Sequence, residues 1–155
     1  MPAAPNGVEE ALQRSVKLHL TAIENYQAQA EHFARWGYGK LADKYRGDVE
    51  EERGHLKAVM ARLEFYDIQP VYEHDEPNWP RHDFEGILSA NLALESAAAQ
   101  AERENVVAAR AVGDELSALV FASLLEGSEA SVAEIEADMK VIEQIGLDNY
   151  LANKV

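Results

Sequence analysis

Glu52 and His55 stand three residues apart in Glu52-Arg53-Gly54-His55, inside a long stretch of helical periodicity. Residues at that spacing share one helix face. Here it is the face that the flanking apolar residues mark as the inner stripe. A carboxylate and an imidazole turned into a core need partners. A metal ion suits both. Oxygen and nitrogen ligands together fit Fe, Mn or Zn. The chain has no cysteine, so thiolate-seeking ions have no partner. Two plainer readings stand beside this one: a solvated helix face, or a hydrogen-bonded polar network without an ion.

The elements that must position these groups emerge from the periodicity. A first helix runs from about Val8 to Trp36 and stops at Gly37. Its stripe is Leu12, Val16, His19, Ile23, Tyr26, Ala30 and Phe33, so His19 lies on the seam. Steps of three and four are those of a bundle. A second helix, from about Leu41 to Tyr66, has the stripe Leu41, Tyr45, Asp48, Glu52, His55 and Val59. Pro70, Pro77 and Pro80 interrupt helix over residues 67–83. So long a loop is uncommon in a compact bundle unless the chain must cross its full length. A third helix, about Phe84 to Val112, carries Glu95 near the seam. Ala97, Ala98, Ala99 and Ala101 permit close helix approach there. A fourth, about Asp114 to Ile145, has the seam Phe121, Leu124, Ser128, Ser131, Ile135 and Ile142. Residues 147–152 can add a short terminal helix.

His19, Glu52, His55 and Glu95 therefore converge from the middles of three helices. Together they make one mononuclear site, and a two-metal site needs more. His32, His74 and His82 are expected on the surface, and Tyr26 in the core as packing.

Size and charge bound the answer. A chain of 155 residues fits one all-α domain over 1–155, with residues 1–7 as a disordered lead. Its 28 acidic and 14 basic residues give a net charge of -14, which disfavours nucleic acid and anionic membranes and attracts cations. No apolar run approaches the roughly 20 residues of a membrane span. A chain without cysteine is compatible with the cytoplasm, the expected location.

Several blocks together resemble the bacterioferritins. They are Leu20-Thr21-Ala22-Ile23-Glu24-Asn25-Tyr26, Phe33-Ala34-Arg35-Trp36-Gly37, Glu52-Arg53-Gly54-His55, Leu92-Ala93-Leu94-Glu95 and Ile145-Gly146-Leu147-Asp148-Asn149-Tyr150-Leu151. The resemblance implies a ferritin-like four-helix bundle with one long crossover and a short fifth helix. It further implies a hollow cage of roughly two dozen subunits that oxidises and stores iron, with a di-iron centre per bundle and haem between subunit pairs.

Residue by residue, the carry-over is partial. Glu52, His55 and Glu95 match family ligands. His19 stands at the first-helix carboxylate position. The second Glu-x-x-His is missing, because the matching fourth-helix positions are Ser128 and Ser131. Glu126 and Glu129 are near, but Glu129 is turned about 100° from Ser128 around the helix. The family's axial haem Met is Arg53 here, so no haem is expected at that site.

The resemblance therefore implies an iron-binding subunit with an altered, ferroxidase-impaired metal site on His19, Glu52, His55, Glu95 and, if it swings inward, Glu129. It assembles with itself or in a mixed cage with a paralogue. Iron, zinc or manganese are the candidate ions. One alternative is a metalloprotein with a mononuclear site, oxidase-type or metal-sensing. Another is a non-catalytic structural partner of a competent paralogue.

Overall fold

The computed structural model describes residues 2–155. Four long helices, α1 (Val8–Trp36), α2 (Gly39–Phe65), α3 (Phe84–Ala111) and α4 (Glu115–Ile145), precede a short α5 (Leu147–Ala152). All seven residues of the α1 stripe are buried, His19 among them. The helix stops where Gly37 takes a left-handed φ of 94°, which lets Tyr38 N–H reach Phe33 O and Gly37 N–H reach Ala34 O. Asp83 caps α3 by accepting from Gly86 N–H at 2.9 Å. Asp114 caps α4 through Ser117 N–H at 3.1 Å.

Paired residues give the helix directions. Along α1 and α3, Ser15 meets Glu102, Tyr26 meets Glu95, Gln29 meets Asn91 and Phe33 meets Phe84. One number rises as the other falls, so these helices are antiparallel. Lys44 with Glu134 and Arg62 with Ser117 show the same for α2 and α4. Arg46 with Glu31 and Arg53 with Gln27 make α1 and α2 antiparallel too, so α2 and α3 are parallel, and residues 66–83 must carry the chain back along the bundle. Thr21 Oγ1 accepts from Asp75 N–H at 3.0 Å, and Gln13 bonds Gln69 O and Val71 N–H, which pins this crossover to α1. α5 closes one end, with Tyr150 buried 5.7 Å from Phe84 between ring centroids. This is the ferritin-like arrangement, all-α with one crossover.

Three details differ from the sequence reading. Within the lead, Ala4 packs against the core and Pro5 O accepts from Val8 N–H. His32 is buried rather than exposed: it stacks near Trp36 and Trp79, and its Nε2 contacts Arg81 O, because the crossover folds over it. α4 is long and apolar enough, by length and composition, to match a membrane span, although only 28% of its apolar window is buried within this chain. Its alanines, such as Ala118 and Ala130, raise its hydropathy without the long unbroken run of large side chains that the eye seeks.

Candidate metal centre

Midway along the bundle, α1 and α2 bring His19, Glu52 and His55 together, with one ligand atom of each within 4.8 Å of the others. His19 Nδ1 is 2.6 Å from Glu52 Oε2, and His55 Nδ1 is 3.7 Å from the same oxygen. The two imidazole rings meet edge to face at 5.5 Å. Glu52 and His55 share a face because α2 is regular through both. His19 faces them because its seam position on α1 is at the same level.

The electrostatics follow from burial and neighbours. Burial alone would lower the His19 pKa, but the carboxylates of Glu102 and Glu52 carry it up to about 9. Burial would raise Glu52, yet hydrogen bonding to His19 and His55 holds it at about 2. Glu95 sits beside this group. Burial, with the charge of Glu52, pushes it up to about 7, although Tyr26 OH donates to its Oε1 at 2.5 Å. Tyr26 is therefore more than packing: its own pKa is raised well above the usual phenol value by burial and by Glu95.

Two polar atoms of this group lack hydrogen-bond partners, His19 Nε2 and His55 Nδ1. An ion beside Glu52 would satisfy His55 Nδ1, while His19 Nε2 faces Glu102 and leaves Nδ1 turned to the centre. His19, Glu52 and His55 thus fit one divalent ion, with a ligand atom of each within 4.8 Å of the others.

The fourth helix adds nothing to the donor set. Ser128 is buried and Ser131 half-buried. A cavity of about 20 Å³ lies among Tyr26, Tyr45, Glu52 and Ser131, room for about one water. Glu129 does not swing inward: it is exposed and pairs with Arg103 at 3.3 Å. The angular offset from Ser128 leaves it on the outer face. Asp48 turns toward the seam only partway, and Lys44 Nζ takes it at 2.7 Å while also reaching Glu134 at 3.1 Å. Arg53 lies on the exposed face of α2, donating to Gln27 Oε1 at 3.2 Å.

The sequence reading missed Glu102. It is wholly buried, with Oε1 3.6 Å from His19 Nε2. The signal was available: Glu102 follows Glu95 by one heptad on α3, and residues seven apart share a seam.

A bundle of this topology with carboxylates and imidazoles at its centre is the arrangement on which four-helix proteins build metal sites. Comparison with known proteins agrees. Residues 9–145 match the model of the ferritin-like domain. A bacterioferritin of Rhodobacter capsulatus is 30% identical over 92% of this chain and 89% of its own length. Bacterioferritins of Brucella melitensis biotype 1 and Streptomyces coelicolor are 27% and 26% identical, over 92% and 96% of this chain. The chain belongs to the ferritin-like family, with bacterioferritins among its relatives.

Proposed function

We propose that this chain is a bacterioferritin-like iron-binding subunit whose bundle holds a single divalent ion on His19, Glu52 and His55, with Glu95 as a neighbouring carboxylate. The observation that carries this reading is the orphaned His55 Nδ1, 3.7 Å from Glu52. Charge supports it. Glu52, Glu95 and Glu102 are buried, and no Lys or Arg pairs with any of them among the described residues. Removing such charges from water is costly unless a cation answers them.

With iron as substrate, the bound Fe(II) would be the electron donor to an external oxidant. Glu52 would supply the anionic ligand, and the two neutral imidazoles would complete the set without adding charge. Tyr26 fixes Glu95 by its hydrogen bond and stays protonated in doing so. Ser128 and Ser131 offer no carboxylate for a second ion, which supports a ferroxidase rate well below that of a complete two-metal site.

Assembly is proposed on separate grounds. Leu116, Leu119, Val107 and Val112 are exposed on α3 and α4 and their joining turn, at 63%, 51%, 66% and 39%. Apolar surface of this kind favours association. The occupant is a second copy or a paralogous subunit in a cage. A cage of two dozen chains would have a native mass of roughly 400 kDa against 17.2 kDa for one chain.

A second reading is favoured by the 2.6 Å contact of His19 with Glu52. A proton on His19 already answers one carboxylate, so the centre can persist without metal in a structural partner of a competent paralogue. Metal must displace that proton to bind. Metal analysis after growth with iron, zinc or manganese separates the two. About one ion per chain, lost in His55→Ala, supports the metal reading. Content near zero under all three conditions sinks it. Aerobic Fe(II) oxidation unaffected by His55→Ala would show that the bundle is not where any oxidation occurs.

A further inference from the structure

Glu102 has the least exposed charged side chain in the bundle, at 0%. Ser15 Oγ donates to it, lying 2.8 and 3.0 Å from its two oxygens, and Asn105 Nδ2 reaches Oε2 at 3.3 Å. Asn105 is itself fixed by Arg14 Nη1 at 2.7 Å. These neutral donors hold the carboxylate still, but none of them requires its charge. A buried carboxylate kept only for a serine and an asparagine is a poor use of a core position, since a neutral acceptor would serve at lower cost.

The neighbour that does gain from the charge is His19. Its ring spans two carboxylates: Nδ1 faces Glu52, and Nε2 faces Glu102 Oε1 at 3.6 Å. A neutral imidazole carries one hydrogen, on one nitrogen or the other. With the hydrogen on Nε2, directed at Glu102, the Nδ1 lone pair points toward Glu52 and His55. That is the tautomer an ion at this centre needs.

We propose that Glu102 is a positioning residue of the metal centre: it holds His19 as the Nε2–H tautomer and in the ring orientation that presents Nδ1 to the ion. The inference rests on the single-ion reading above. It follows the general pattern in which a metal-bound histidine gives its other N–H to a carboxylate. It also gives Ser15, Asn105 and Arg14 a common role, as the cradle that keeps Glu102 from turning away.

The test compares Co(II) titrations of the full-length wild-type and Glu102→Gln proteins. Helical circular dichroism and the metal-free thermal midpoint check folding. Glu102→Gln keeps the shape and an acceptor for Ser15 but removes the charge. The expected result is a Co(II) affinity weaker by about 10–100-fold, with an unchanged visible absorption band because the ligands are the same. Equal affinity in a folded variant overturns the proposal while leaving the single-ion reading intact. A wild-type protein that binds no Co(II) sinks the single-ion reading itself. If the variant does not fold, ¹⁵N imidazole spectra of the Zn(II)-loaded wild type decide. A His19 hydrogen on Nε2 is expected, and one on Nδ1 overturns the proposal.

Discussion

The His55 ring packs against the backbone of Gly127, so closely that a Cβ at that glycine would lie 2.9 Å from His55 Cε1. α4 thus touches the centre through an absent side chain rather than a present one. Gly127→Ala should gain up to about 1 kcal/mol of helix propensity while forcing the imidazole aside. The expected outcome is a thermal midpoint little changed and a Co(II) affinity at least about tenfold weaker. An unaltered affinity would mean that His55 has another resting place compatible with binding.

Glu52 should be the most costly residue of the centre to truncate. Its side chain and that of His19 are 11% and 4% exposed, and breaking a buried pair typically costs about 3–5 kcal/mol. Glu52→Ala is expected at the lower end, because Glu102 still answers His19. Replacing both partners, His19→Leu with Glu52→Leu, should recover most of the loss and abolish metal binding. Denaturant melts of the three proteins give the comparison; a double variant less stable than Glu52→Ala would contradict it.

Stability of the metal-free protein should peak near pH 5. The sign for each group differs. Glu52 is lowered from 4.5 to about 2, so its contribution is complete above pH 4.5 and disappears as pH falls through 2. His19 is raised from 6.5 to about 9, so its contribution is complete below pH 6.5 and fades as pH rises through 9. Glu95 is raised from 4.5 to about 7 and favours the fold most below pH 4.5, progressively less up to 7. Thermal scans from acid to alkali read the curve. A midpoint that climbs steadily from neutral to alkaline pH would refute the charge pattern.

Asp114 offers a control far from the centre. It caps α4, accepts from Tyr66 OH at 2.5 Å, and pairs with Arg62 at 3.3 Å. Asp114→Ala should cost about 2–3 kcal/mol through the lost cap and the stranded tyrosine and guanidinium. Co(II) affinity should stay within about twofold, since distant sites act independently. A large affinity change would reveal coupling along α2.

What could be read from the sequence depended on distance along the chain. The ends of α1 were legible because its apolar period and Gly37 are local signals. His19, Glu52, His55 and Glu95 were legible because each sits on the stripe of its own helix. Glu102 was not, because Arg103 and Glu104 beside it make it look like part of a solvated charged run. His32 was misjudged for a different reason. Its partners, Trp79 and the Arg81 carbonyl, come from the crossover, whose path over α1 no periodicity encodes. Glu129 was left open on paper, although its angular offset from Ser128 already set it on the outer face, where Arg103 pairs with it.

The pairing of His19 with Glu52 has a consequence for how such a subunit comes into being. A centre that depends on its ion to offset buried charge ties folding to the metal supply of the cell. Here part of that offset travels within the polypeptide, as an imidazolium one helix away from its carboxylate. On the single-ion reading, a newly made chain would close its bundle in iron-poor conditions and take up its ion later. Scarcity would then alter what the subunit carries rather than whether it folds.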